Sequence, residues 1–500
     1  MKYSIIVFAL SALFFTQSCT DMDEQLYSQV DSKDYGKTPA EIETIVGGAY
    51  SSLRGFQDDI SNSYPTCEYV FFLNEIASDE ATIPTRGTDW YDGGRYQRTQ
   101  AHTWTEENPM FLSAWRYCYQ GIAAINGIIY QVDKSELEEE AKTPIKAELS
   151  VVRVYYYYLL LDMFGNVPIV TNFEDTELPA NNTRQEVFDF MEEELTNAIP
   201  HLSAEVIYGR FTKNVANALL ARLYLNAEAF VGTPRWQDCI EACEKITNYT
   251  LEPDYFTNFQ TNNEVSLENI LTIPYDNKAG TTGNYLHSMT FHYLHRYTVS
   301  ATGDYPWCGN GICAQPGVYS KFADNDRRKA SMLSGDQIHL GTGSVIIMDS
   351  GEPLVYTEEI ENFTDAKQNE GVRLNKYEVK VGEAWERDHD WVVIRYAEIL
   401  MMQAECYLRQ GNSELARPFV AQISERAGTE MPEILDLDFL YDELLREFIF
   451  EGRRRTDNIR FGKYFEPWWE KGITPIERGL FPIPKSELDK NTNLTQNTGY

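Results

Sequence analysis

From Ala40 onward, apolar residues recur three and four positions apart over long stretches, the spacing of helices with one buried face. Lys146 to Phe164 (KAELSVVRVYYYYLLLDMF) predicts a long apolar helix stopped by Gly165-Asn166, and Thr183 to Ile199 predicts an amphipathic partner. A second pair is predicted at Thr212 to Phe230 and Trp236 to Thr247. A third falls at Trp391 to Gln410 and Ser413 to Ala427, turned by Gly411-Asn412. Pro109 to Val132 reads as one more helix, with its partner in the Ala40 to Phe56 stretch. Small residues and aromatics share these helices: Ala218, Ala221, Tyr224 and Ala227 in one, Ala397, Ala404 and Tyr407 in another. That mixture lets paired helices approach closely, as in tetratricopeptide (TPR) units of about 34 residues. The expected fold is mainly α: a TPR-like scaffold of about four helix pairs over residues 41–56, 106–250 and 391–465, within one domain spanning 41–500.

The period is broken by two long stretches, 57–105 and 251–390, rich in Gly, Asn, Thr and Asp. Short strand-like runs appear there, such as Ser344 to Met348 and Leu354 to Tyr356. These are expected as irregular loops and small hairpins mounted on the helices, where binding residues usually lie. At the other end of the hydropathy range, Ser4 to Phe15 is an apolar run of twelve residues behind Lys2, too short to span a bilayer and of secretory proportions. Residues 1–18 followed by Cys19 read as a lipoprotein signal peptide with a lipidated cysteine, or as an ordinary cleaved signal with an incidental one. Residues 19–40 are polar and weakly periodic, a tether.

Charge narrows the classes further. With 43 Lys and Arg against 76 Asp and Glu, the net charge of −33 argues against nucleic acid and against anionic lipid surfaces. The 32 tyrosines suit wet, half-exposed contact surfaces and point to recognition of something polar. Among the cysteines, only Cys308 and Cys313 (WCGNGIC) are placed for a local disulfide, and a free pair reads equally well. No cysteine or histidine spacing fits zinc, and no DxDxDG loop supports calcium.

Candidate chemistry concentrates in the inserts. Ser78 to Arg95 (SDEATIPTRGTDWYDGGR) is read as loop throughout. Its Trp90-Tyr91 pair, flanked by Asp89 and Arg86, suits a sugar: aromatic faces take apolar C–H surface while charged groups bridge hydroxyls. Trp90 reads equally well as a buried anchor. A second aromatic cluster holds Tyr293, Tyr297, Tyr305, Trp307 and Asn310. His287, His292 and His295 invite a metal, but HxxH alone is weak and hydrogen bonding or packing accounts for them better. Paired carboxylates occur everywhere among so many acids, and GxSxG, P-loop, HExxH and GxGxxG signatures are missing, so no catalytic residue, metal or cofactor is expected. Near the C-terminus, Glu443 to Phe461 predicts a helix with Glu447, Glu451, Arg454 and Asn458 on one face. Arg453, Arg454, Arg455 and Arg460 are expected in an internal ion-pair network there rather than in a basic site.

Several of these segments, in order, resemble the SusD/RagB-like outer-membrane nutrient-binding lipoproteins of Bacteroidetes. The carriers are the start at Cys19, SDEATIPTRGTDWYDGG, FTKNVANALLARLYLNAEAF, WVVIRYAEILMMQAECYLRQGN, REFIFEGRRRTDNIRFGKY and the terminal LFPIPKSELDKNTNLTQNTGY, where Thr492 replaces a common Pro. Asp21, Asp23 and Glu24 resemble the acidic surface-export signal of such lipoproteins. The resemblance implies a cell-surface protein, lipid-anchored in the outer membrane, that binds glycan and hands it to a SusC-type TonB-dependent transporter. It implies a shallow aromatic site at Trp90, Tyr91, Tyr293 and Trp307, with Arg86, Asp89 and Asn310 as polar contacts. Alternatives are a peptide-binding, RagB-like importer subunit and, further off, an α-helical polysaccharide hydrolase or lyase.

Overall fold

The computed structural model describes residues 38–55, 68–276, 284, 286–299, 308–381 and 388–500. The expected signal peptide, Cys19 and most of the tether lie outside them. Eleven helices carry the argument: α1 (Pro39–Leu53), α2 (Glu68–Ile76), α3 (Pro109–Lys134), α4 (Glu139–Phe164), α5 (Arg184–Ala198), α6 (Lys213–Leu225), α7 (Trp236–Glu244), α8 (Tyr396–Arg409), α9 (Ser413–Ala427), α10 (Leu437–Phe448) and α11 (Arg454–Arg460). Successive antiparallel neighbours pack as expected of a TPR-like scaffold: α1 on α3, α3 on α4, α4 on α5, α6 on α7 and α8 on α9, with α7 against α8 joining the last two pairs.

Local chemistry sets the boundaries. Thr183 caps α5 in a reciprocal box with Glu186, and α1 starts the same way with Thr38 and Glu41. The predicted helix 212–230 breaks at Asn226, whose amide donates to the Tyr158 hydroxyl at 3.2 Å. Helix α4 is buried nearly all round from Val151 to its end, as its unbroken apolar run requires. Tyr155 to Tyr158 are therefore core residues and not the wet contact surface that the tyrosine count points to. Gly121 of α3 makes room for them: a Cβ there would sit 2.2 Å from the Tyr156 ring.

Two elements depart from the sequence pattern. Trp391 to Arg395 does not begin a helix; it is a strand, β-branched and buried, antiparallel to Asn269–Ile273. The run Glu443–Phe461 is two helices, because Phe450 (φ 59°) and Gly452 (φ 75°) reverse the chain between α10 and α11. Among the described residues there are eight short strands: β1 (Ala81–Thr82), β2 (Asn269–Ile273), β3 (Cys313–Ala314), β4 (Met332–Leu333), β5 (Gly335–Asp336), β6 (Val355–Tyr356), β7 (Arg373–Leu374) and β8 (Trp391–Arg395). They form the two-stranded antiparallel pairs β1–β3, β2–β8, β4–β7 and β5–β6. The β1–β3 pair joins the two inserts to each other, and β2–β8 ties the second insert to the scaffold.

Ion pairs do most of the remaining stitching. Arg395 reaches Glu268 (2.8 Å), Glu447 (2.6 Å) and Glu451 (2.7 Å); Arg328 reaches Asp326, Glu443 and Glu447; Arg426 reaches Glu268 and Glu447. Lys376 and Arg446 close the set on Glu451 and Glu443. Positive and negative groups balance across this buried network, which is the condition for charges to be tolerated inside. The C-terminal arginines are likewise internal: Asp457 pairs locally with Arg453 and Arg460 as expected, and the other partners come from distant segments, Asp79 for Arg454, Asp162 for Arg455 and Glu405 for Arg460. Beside them, Glu75 and Glu80 are fully buried and hydrogen-bond to each other, while accepting from the Gly452 and Phe450 amides. Two carboxyls in contact require a shared proton, and burial holds both well above the ordinary glutamate range. The terminal segment is a clasp: Asn497 donates to the Phe164 (2.7 Å) and Phe481 (2.9 Å) carbonyls, and Trp104 Nε1 donates to the Tyr500 hydroxyl at 2.7 Å.

Candidate functional site

The Ser78–Arg95 segment divides in two. Its first half is buried structure rather than open loop. Asp79 accepts both ends of the Arg454 guanidinium (2.7 and 2.9 Å) together with the Asn458 amide and the Tyr441 hydroxyl. Those donors hold its carboxyl down to about 2 against the opposing effect of burial. Gln315 clamps the Ser78 and Ala81 carbonyls at 2.7 and 3.0 Å. The second half turns outward. Arg86 and Asp89 exchange backbone hydrogen bonds, and then Trp90 (φ 61°) and Asp92 (φ 42°) take left-handed backbone, which a side chain as bulky as tryptophan rarely adopts. Such strain persists only where the surroundings enforce it, and it often accompanies function.

The surroundings are visible. Trp90 donates its indole N–H to the Gly309 carbonyl at 2.6 Å and stands 5.7 Å from the Tyr96 ring. Gly311 lies directly against the indole; a Cβ there would approach within 2.4 Å of it. Trp90 is thus an anchor on one side and partly open on the other. Tyr91 projects beside it, 59% exposed. Across from them, the Tyr293 hydroxyl donates to Asp89, which joins the first insert to the second. Asp89 and burial together raise the Tyr293 hydroxyl well above its ordinary range, so it stays a neutral donor. Tyr297 is 42% exposed, with the Arg296 guanidinium 4.7 Å from its ring centre. Trp90, Tyr91 and Asp89 are therefore brought together with Tyr293, and Tyr297 follows on the same short segment. Trp307 and Tyr305 lie outside the described residues.

Arg86 and Asn310, expected as polar contacts for a ligand, are instead buried struts. Arg86 donates to the carbonyls of Asn310 (2.8 Å), Glu370 (2.8 Å) and Lys367. Asn310, in left-handed backbone at φ 52°, donates to the Gln368 carbonyl (2.9 Å) and accepts from Arg373 (2.8 Å). Sequence shows that such residues sit in a loop, but not which way they point; here three segments need carbonyl partners and these side chains supply them. Burial and the neighbouring Arg373 bring Arg86 down to about 9, still charged at neutral pH. Cys308 and Cys313 are buried and not bonded to each other, the second 3.7 Å from Arg86. His292 contacts the Gln368 amide (3.1 Å), and His295 lies 3.3 Å from the Tyr356 hydroxyl. Burial pushes the two histidines down to about 4 and about 3, so both are neutral packing residues at physiological pH. The residues that sequence reading missed are Arg296 and Gly311; the Gly-rich run WCGNGIC, in which Gly311 stands four places after Trp307, is the one signal that pointed to the close approach.

This fold and exposed aromatic cluster define a class. Residues 62–225 match the family model described as "Starch-binding associating with outer membrane", and residues 244–475 match that of the SusD family. The chain belongs to the SusD/RagB family of Bacteroidetes. It is 26% identical to the starch-binding protein SusD of Bacteroides thetaiotaomicron, over 90% of this chain and 88% of that one. It is 25% identical to SusD-like protein P2 of Formosa agariphila across the full length of both. Among solved structures, a laminarin binding SusD-like protein superposes with a TM-score of 0.75 at 23% identity, covering 93% of this chain and 100% of that one. Surface glycan-binding protein A of Bacteroides thetaiotaomicron, in complex with laminarihexaose, gives 0.74 at 21% identity, covering 92% of this chain and 100% of that one.

Proposed function

We propose that this protein is a non-catalytic glycan-binding lipoprotein of the outer-membrane surface, which captures oligo- or polysaccharide and passes it to a SusC-type TonB-dependent transporter. The observation that carries the reading is the platform of exposed Tyr91 with half-buried Trp90 and Tyr293, rimmed by the carboxylate of Asp89. A flat aromatic surface with a few fixed polar groups fits the alternating apolar and hydroxyl faces of a sugar ring. Relatives named for starch, laminarin and surface glycan binding support the ligand class. The family supports the transporter partner, and Cys19 is the residue expected to carry the lipid. No described helix is long and apolar enough to cross a membrane.

In this reading Trp90, Tyr91, Tyr293 and Asp89 touch the glycan, while Arg86 and Asn310 hold the platform from beneath. The test is affinity electrophoresis of residues 20–500 in native gels containing a panel of polysaccharides, repeated with Tyr91→Ala. Retardation by one polymer, weakened in the variant, supports both ligand class and site. Retardation undiminished in the variant moves the site elsewhere. No retardation by any polymer, with retention of peptides instead, replaces the reading with a peptide importer.

A further inference from the structure

The segment that carries Tyr293 also lends Phe291 and His295 to a separate hollow of about 560 Å³, within the size range of small-ligand sites. Its walls are largely apolar, with Phe256, Leu333, Ile338, Leu340 and Val379 prominent. Ile338 and Leu340 belong to a small hairpin that continues from β5, and they are 48% and 45% exposed. Solvent-facing branched residues clustered at the lip of a cavity mark a surface that something else covers.

Polar groups on the same wall are unspent. The Gln260 amide, the Ser334 hydroxyl and the Asp336 carboxylate make no hydrogen bond or ion pair with side chains or backbone among the described residues. Asn375 gives its amide N–H to the Ala330 carbonyl (3.1 Å) and keeps its own oxygen available. Charge then selects the ligand. The one lysine on the wall, Lys376, is turned into the ion-pair network, donating to the Ile449 carbonyl (2.7 Å) and to Glu451. Glu378 is paired with Lys380 (3.1 Å), which leaves Asp336 as the unpaired carboxylate on the wall, a charge that repels anions. Carboxylate and amide oxygens ask for donors, and neutral donors beside apolar surface are what sugar hydroxyls and C–H faces provide.

We propose that this hollow is a second saccharide subsite, which takes one or two uncharged sugar residues and rejects uronic or sulfated ones. The proposal rests on the glycan-binding reading and adds a position and a substrate class to it. Two modest sites on one glycan would multiply affinity without a deep pocket.

The test is calorimetric titration of the mature chain with uncharged gluco-, manno- and xylo-hexaoses and with hexagalacturonate. Three variants are compared: Val379→Trp fills the hollow, Gln260→Ala removes one polar group, and Tyr91→Ala alters only the platform. The expected result is that Val379→Trp raises the Kd of the best uncharged hexaose at least about fivefold, or roughly 1 kcal/mol. Gln260→Ala should raise it about two- to threefold, with helix content by circular dichroism unchanged in both. Wild-type affinity in both hollow variants, with weakening in Tyr91→Ala, overturns the subsite and leaves the glycan reading standing. Preference for hexagalacturonate overturns the charge argument. A wild-type chain that binds no saccharide overturns the reading and the subsite together.

Discussion

Glu447→Gln removes one negative charge from the centre of the buried network and leaves the shape almost unchanged. Glu447 is fully buried and faces three guanidiniums, Arg395 at 2.6 Å, Arg328 at 3.1 Å and Arg426. Together they hold its carboxyl far below the ordinary range. Each contact is worth roughly 4 kcal/mol of Coulomb energy at an effective dielectric near 20, most of it offset by the desolvation of the ions. Breaking such a set from one side costs about 3–5 kcal/mol, because three cations then share too few anions. Unfolding entropy near 2.1 cal/mol/K per residue gives roughly 1 kcal/mol/K for 500 residues, so Tm should fall by about 3–5 °C. Tryptophan-fluorescence melts at pH 7 measure this, with exposed Glu433→Gln as the control expected to lie within about 0.5 kcal/mol of wild type. A carboxyl with a depressed folded value stabilises above its unfolded value and loses that contribution as pH falls. The gap between variant and wild type should therefore narrow below about pH 4.5, by about 1.4 kcal/mol per pH unit. A variant as stable as the control, or a gap independent of pH, would refute the account of how the inserts are held to the scaffold.

Three further outcomes follow from particular contacts. Tyr91→Ala should weaken glycan binding about tenfold with Tm unchanged, whereas Trp90→Ala should weaken binding and also lower stability by about 1–3 kcal/mol, since only Trp90 packs on Gly311 and Tyr96; equal melting temperatures for the two would contradict this. Glu75 and Glu80 hold a shared proton that the unfolded chain releases above about pH 4.5, so their contribution is complete below that pH and is lost as pH rises through their raised folded values. Urea midpoints from pH 5 to 8 should show this decline in wild type and a shallower one in Glu75→Gln; identical slopes would argue against the shared proton. Asn497→Ala should cost about 1–3 kcal/mol by leaving the Phe164 and Phe481 carbonyls unpaired, read from the same denaturation curves.

Much of the scaffold was legible because helical periodicity survives burial: α4 to α9 fall near their predicted places. The misreadings share a cause. Trp391–Arg395 adjoins a helix without a polar break, so periodicity alone cannot show that the first five residues pair with β2. The turn between α10 and α11 uses Gly452 together with a left-handed Phe450, and a single glycine inside a helical pattern does not by itself announce a break. The charged run Ser78–Arg86 reads as exposed loop, yet Asp79 finds its partners more than three hundred residues away in α10 and α11, and Arg86 finds its own more than two hundred residues away in the second insert. The aromatic members of the platform were findable from composition and punctuation, but the direction of Arg86 and Asn310 was not. That direction depends on which carbonyls the fold leaves unpaired, and those exist only once both inserts have met.

The division between Arg86 and Asn310 beneath the platform and Tyr91 and Tyr293 upon it bears on how such a protein changes over generations. Arg86 and Asn310 hold the loops without reaching the face that meets the outside, whereas on that face Tyr293 adds one bond, to Asp89, and Tyr91 stands exposed. Substitutions at the rim can therefore accumulate and redirect preference from one nutrient to another without unfolding the molecule. A change at either strut would be selected against whatever the diet. Lineages carrying this chassis should differ most where they touch food and least one layer below.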